Sequence, residues 1–108
     1  MIYYEVNVSI NKEIYSEFVL WLNEHVNEML QFPGFIQASI LVLEEAGIPD
    51  HEKLTIQYQI KSREDLETYF NKYAPRMREE GIKRFKDKFS ASRRILKVQA
   101  ILLSQNEP

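Results

Sequence analysis

A chain of 108 residues with 44% hydrophobic and 28% charged positions has the make-up of one soluble globular domain. The absence of Cys removes disulfides, thiolate nucleophiles, zinc fingers and iron–sulfur clusters, and three glycines (Gly34, Gly47, Gly81) leave no glycine-rich phosphate loop. No apolar run approaches the roughly 20 residues of a membrane span, and the formal net charge is only −2.

Residues 2–10 alternate, with Ile2, Tyr4, Val6, Val8 and Ile10 on one face and Tyr3, Glu5, Asn7 and Ser9 on the other, the period of a half-buried strand. Asn11 then offers an N-cap. Ile14, Phe18, Leu22, Val26 and Met29 follow at helical spacing until Pro33-Gly34 stops the helix. A second strand is expected from Phe35 to Glu44, a turn over Glu45–Glu52, and a third strand in which Leu54, Ile56, Tyr58 and Ile60 alternate with Thr55, Gln57 and Gln59. Ser62 with Asp65 three residues on resembles a capping box. It opens a second helix whose stripe is Leu66, Tyr69, Phe70 and Tyr73. Pro75 suits the first turn of a further helical segment over Arg76–Lys86, with Met77, Ile82 and Phe85 inward. Ser90–Ser92 read as a connection into a last strand, Arg94–Leu103. The expected division is one domain over residues 1–103 and a frayed tail over 104–108.

The order β-α-β-β-α-β closes as a ferredoxin-like α+β fold, a four-stranded antiparallel sheet with the helices on one face and the first and third strands central. The other face then needs a cover. Its middle is polar, with Tyr3, Glu5, Asn7, Thr55, Gln57 and Gln59. Its flanks are expected to carry Phe35, Leu41 and Leu43 from the second strand and Ile95, Lys97, Gln99, Ile101 and Leu103 from the fourth. Two such faces packed by a two-fold axis would bury the apolar flanks around a polar lumen, so a homodimeric α/β barrel is expected.

The opening IYYEVNVSI, the helix ending near QFPGF, and above all YAPRMREEGIKRFKDKFSASRRIL resemble the uncharacterised bacterial family known as domain of unknown function 4286. The resemblance spans residues 1–98 and implies a dimeric α/β barrel. It brings no established reaction. The family commonly carries a His before the Ala-Pro pair, where this chain has Tyr73. Its wider superfamily includes cofactor-free and haem-degrading monooxygenases and ligand-binding modules of amino-acid-responsive regulators.

Charge is unevenly spread. Residues 1–60 hold two Lys against nine acids, a net −7, and residues 61–97 hold twelve Lys and Arg against six acids, a net +6. Arg76, Arg78, Arg84, Arg93 and Arg94 form a concentrated set, and Arg76, Arg93 and Arg94 among them are candidates for holding a small anion, since the guanidinium fork suits carboxylate and phosphate. The competing reading is a set of ion pairs with Glu79, Glu80 and Asp87. Glu5, flanked by Tyr3 and Asn7 and faced by Gln57, is the other candidate. Its carboxylate rises in pKa inside a lumen unless a cation stands beside it, and the alternative is a structural pair with Lys97 or an Arg.

His25 and His51 lack a third ligand at metal spacing, so no metal is assigned and no cofactor is expected. His25 reads as a helix-surface or dimer-edge histidine. The central strands offer Glu5, Asn7, Gln57 and Gln59 where an RNA-binding sheet needs aromatics, so no nucleic-acid partner is expected. With no secretory signal in MIYYEVNV, the cytoplasm is the expected location. The expected role is binding of a small anionic metabolite. The alternatives are a monooxygenase-like enzyme and a non-catalytic protein-interaction module.

Overall fold

Ten residues of unbroken alternation make β1, Ile2–Asn11, and it becomes one of the two central strands of the sheet. In the computed structural model, which describes residues 1–44 and 50–106, Asn11 ends the strand and its side chain accepts a hydrogen bond from the Glu13 N–H. That bond starts a short 3₁₀ turn, Lys12–Ile14, which runs into α1, Tyr15–Met29. Then come β2, Phe35–Val42; β3, His51–Ile60; α2, Arg63–Lys72; α3, Ala74–Phe85; a second 3₁₀ turn, Lys86–Lys88; and β4, Phe89–Lys97. The strand order is β2-β3-β1-β4, all antiparallel, so the ferredoxin-like expectation holds and β1 and β3 are central. The turn expected over Glu45–Glu52 lies largely outside the described residues.

Gly34 ends the α1–β2 connection at φ 84°, a left-handed conformation natural to glycine. Any side chain there would also collide with the Asp65 carboxylate at the start of α2. Ser62 caps that helix, its hydroxyl accepting from the Asp65 N–H at 3.2 Å and donating to the Asp65 carboxylate at 2.9 Å. Pro75 sits in the first turn of α3, where its missing N–H costs nothing.

The three helices cover one face. Ile2, Tyr4, Val8 and Ile10 of β1 meet Leu54, Ile56, Tyr58 and Ile60 of β3 on that face, under Phe18, Leu22, Leu66 and Met77 from the helices. Each such side chain contributes about 1.5–3 kcal/mol by leaving water. Aromatics gather at two ends: Tyr4, Tyr58, Phe35 and Tyr69 in one cluster, Phe18, Trp21, Phe85 and Phe89 in the other.

Three details depart from the sequence reading. A register shift between Phe35 and Gln37 turns Phe35 onto the covered face, where it is buried, and leaves Leu41 on the open face, 45% exposed. Strand β4 begins five residues earlier than expected. Phe89 packs on Phe18 and Phe85, and Ser90 and Ser92 are strand residues opposite Ser9 and Asn7 rather than a connection. Pairing of Glu5 with Arg94 fixes the register. Ile95 and Lys97 therefore share a face with Tyr4 and Ile2, not with the open side, while Gln99, Ile101 and Leu103 lie beyond the strand in a segment without regular structure. Finally, Ile82 is 57% exposed, and it is Gly81 that turns inward with Met77 and Phe85.

Candidate functional site

The open face of the sheet gathers most of the candidates proposed from sequence. Glu5, Gln57 and Arg94 stand side by side on β1, β3 and β4, because the two register alignments place Gln57 and Arg94 directly opposite Glu5. The Glu5 carboxylate accepts from Gln57 Nε2 at 2.9 Å, from Asn7 Nδ2 at 3.1 Å, and from Arg94 Nε. Thr55 Oγ1 donates to Asn7 Oδ1 at 2.7 Å and extends the ladder. Only 3% of Glu5 is exposed. Burial alone would raise its pKa, but the Arg94 guanidinium, followed by Gln57, overrides this and holds it down to about 2. Glu5 is thus an anion at physiological pH, fully engaged by its neighbours, the structural pair with an Arg. Lys97 stands opposite Ile2 instead. Tyr3 shares this face, opposite Gln59 and Leu96. A groove of about 350 Å³ runs beside this cluster, past Asn7, Thr55 and Lys53.

Arg76 is engaged elsewhere. On the first turns of α3 it reaches Glu28 of α1 at 3.1 Å and Glu80 at 3.4 Å, at the helix surface. Arg93, one residue from Arg94, points to the opposite side of the sheet, sharing a face with Val6. The three arginines are thereby divided among a helix surface, the open face and the covered face.

Arg93 lines a cavity that the sequence did not reveal. It measures about 290 Å³ and lies between the sheet and α1 and α3, over β1 and β4. Phe18, Trp21, Tyr58 and Tyr69 give it aromatic walls. His25 enters it from α1, one turn after Trp21, with the two rings stacked at 4.5 Å between centroids. The His25 Nδ1 is buried and has no hydrogen-bond partner. Burial pulls the imidazole down to about 4, against the pull of Glu28 and aided by Arg93, so it is neutral at physiological pH. Burial also pushes Tyr58 and Tyr69 above the usual phenol range, so their hydroxyls stay protonated. The site therefore combines an apolar box, a neutral imidazole lone pair or N–H, phenol hydroxyls, the guanidinium groups of Arg78 and Arg93 and the Lys86 ammonium. Such a set can orient a small molecule, neutralise an acidic group and hydrogen-bond a ligand at His25.

Sequence reading missed His25, Trp21, Tyr58, Tyr69 and Lys86 as site residues. One signal was available. Trp21 and His25 are four apart on the flank of the Phe18–Leu22–Met29 stripe, where a helix meets its neighbour rather than water. The walls themselves were indistinguishable from core.

Among the described residues, no helix is long and apolar enough to cross a membrane. Solved structures of similar shape are diverged in sequence. A candidate antibiotic biosynthesis monooxygenase from Deinococcus radiodurans superposes with a TM-score of 0.73 at 13% identity, covering 98% of this chain and 100% of that one. A dimeric ferredoxin-like protein from an uncultured marine organism gives 0.71 at 9% identity, over 94% and 98%. SnoaB of Streptomyces nogalater, a cofactor-independent oxygenase, gives 0.66 at 13% identity, over 95% and 98%. At such identities these likenesses establish the fold. A search of curated proteins finds no match. A family model does match residues 1–99, nearly the whole chain, and the chain belongs to the family described as Domain of unknown function (DUF4286).

Proposed function

We propose that this chain acts as a cytoplasmic homodimer that binds a small, mostly apolar molecule carrying an acidic group, in the cavity between the sheet and the helices. The observation that carries this reading is the cavity itself. At about 290 Å³ it is near the size of small-molecule sites, its walls are aromatic, and Arg93 supplies a counter-charge from the sheet. The anionic ligand expected from the arginine-rich segment is thus reassigned from the lumen side, where Glu5 and Arg94 satisfy each other, to the covered side.

Dimerisation is supported by the open face. Leu41 and Leu43 are about half exposed there beside the polar ladder, and β2 and β4 are free edges. A two-fold axis sets each β4 against the partner's β2 and closes a barrel without edges. The marine ferredoxin-like protein of the same fold is dimeric.

A second reading is a cofactor-free oxygenase, the activity of the similarly folded SnoaB. His25 bears on it, because its unpartnered Nδ1 beside the aromatic walls is placed to hydrogen-bond a bound substrate. Oxygen consumption with a bound ligand separates catalyst from binder.

The test of the binding reading uses the single tryptophan. Trp21 lines the cavity, so its one indole N–H cross-peak in an NMR spectrum reports occupancy. Titration with 1-naphthoate is expected to shift that peak saturably, in a sample whose light-scattering mass is twice 12.9 kDa. An indole peak that stays fixed refutes the cavity as the site, and a monomer mass refutes the dimer.

A further inference from the structure

The alternation of β4 runs on past the end of its own sheet. Ser90, Ser92, Arg94 and Leu96 stand opposite Ser9, Asn7, Glu5 and Tyr3 and so lie on the open face. The same period carried forward puts Val98, Ala100 and Leu102 on that side, and Gln99, Ile101 and Leu103 on the other. The open-face row thus turns wholly apolar from Leu96 onward. It does so where β1 gives out, since Ile2, the first residue of β1, already stands opposite Lys97. The Val98 N–H still reaches the Met1 carbonyl at 3.1 Å. Beyond it, among the described residues, no backbone bond ties residues 99–103 to another element, and they have no regular structure.

The side chains of this segment are as unpartnered as its backbone. Ile101 is 66%, Leu102 91% and Leu103 84% exposed. A single apolar side chain in water is ordinary, but three large ones in succession on a backbone with free N–H and C=O groups mark a surface made to be covered. The radius of gyration is 15.2 Å, against about 13 Å for a compact domain of this length, which fits a segment standing away from the body.

The occupant that the geometry favours is a second copy of this chain. Strands β2 and β4 are the two edges of the sheet and run in opposite directions. Where β4 of one copy lies along β2 of the other, the exit of β4 therefore comes to the start of that β2. Ile36 is 51% exposed at that start. Area points the same way. Four strands, with eight residues in β2, make a face of roughly 19 by 26 Å, about 500 Å². A stable interface takes about 800 Å² from each partner. The open faces alone fall short, and two symmetry-related arms supply the rest.

We propose that Val98–Leu103 is an exchanged arm. It leaves its own sheet as a continuation of β4 and packs Leu102 and Leu103 against Ile36 at the start of β2 in the other copy. The inference rests on the dimer proposed above and extends it to a segment that the barrel itself does not use.

The chain has no Cys, so introduced cysteines report this contact alone. Ile36→Cys and Leu102→Cys are co-expressed as separate chains with different tags and then oxidised. A disulfide needs Cα atoms within about 7 Å, and one that joins the two tags forms only between subunits. The mixed-tag disulfide is expected in much higher yield than from a control pair, Glu17→Cys with Leu102→Cys. Separately, Leu102→Asp combined with Leu103→Asp should weaken dimerisation at least tenfold in sedimentation. The circular dichroism of the single chain should not change, because both side chains already face water there. A wild-type monomer overturns the dimer and the arm together. A wild-type dimer that keeps its affinity with both Asp substitutions, or that gives no more mixed-tag disulfide than the control, overturns the arm and leaves the dimer standing. A chain carrying both Ile36→Cys and Leu102→Cys that closes on itself as a monomer shows the segment folded back on its own body, and that also overturns the exchange.

Discussion

On the open face of the sheet, Glu5 is almost wholly covered and every one of its bonding needs is met by Asn7, Gln57 and Arg94. On the covered face, His25 is partly buried, and its Nδ1, shut off from solvent, meets nothing. The two groups lie on opposite sides of one four-stranded layer and respond to burial in opposite ways. Glu5 keeps its charge because a guanidinium stands directly across the strand pair, whereas His25 gives up its charge because apolar walls surround it. A polar group whose partners are all supplied by its own fold holds that fold together. A polar group left without a partner in a cavity is available to something else.

The comparison can be broken by titration, and the larger effect belongs to His25. Its folded pKa of about 4 lies below the ordinary 6.5, so between those values the unfolded chain binds a proton that the folded chain refuses. Stability therefore falls as pH drops through that window, by up to about 3 kcal/mol. Urea midpoints measured from pH 7 to pH 4 should show this slope in wild type and its loss in His25→Gln. Identical slopes in the two proteins would mean that His25 is solvated and the cavity wet.

Glu5 acts in a lower window and more weakly. Its folded pKa is about 2 against an ordinary 4.5, so its stabilisation is complete above pH 4.5 and is lost as pH falls toward 2. Arg94 stands mostly in water, which screens the pair, and about 1–2 kcal/mol is a fair expectation for Glu5→Gln above pH 4.5. The variant should unfold in acid without the slope that wild type shows between pH 4.5 and 2. If the two curves run parallel there, Glu5 is not the perturbed carboxylate that its neighbours make it.

The two faces also differ in how far sequence reached them. Alternation in β1 and β3 was enough to assign Tyr4 and Tyr58 to the core and Glu5, Asn7 and Gln57 to the open side, because a period of two leaves no freedom once one face is apolar. In β4 the same rule failed for want of a start point. Ser90-Ala91-Ser92 carries turn chemistry, and its small side chains look like a linker until Ser9 and Asn7 are found opposite them. Moving the strand's start to Phe89 sends Arg93 and Arg94 to opposite faces, a distinction invisible while both were merely adjacent cations. The cavity was beyond sequence for a different reason. It depends on how far α1 and α3 stand off the sheet, and the same aromatic stripe describes a packed core or a walled pocket equally well.

Gly81 controls that separation and gives the smallest stability effect with the sharpest reading. It is buried in α3, and a Cβ placed there would come within 2.9 Å of Trp21 Cη2 and 3.4 Å of Phe89 Cζ. Gly81→Ala gains helix propensity of about 1 kcal/mol and loses a comparable amount by crowding the indole. The net change should stay within about 1 kcal/mol, because Trp21 borders open space and has room to yield. If it yields into the cavity, 1-naphthoate affinity falls several-fold and the indole peak moves even in the free protein. The melting temperature, meanwhile, hardly changes. A variant that melts far lower would show instead that Trp21 is clamped from every side, as a core residue is. In that case the covered face would resemble the open one, with each group fixed by its neighbours and none free for a ligand.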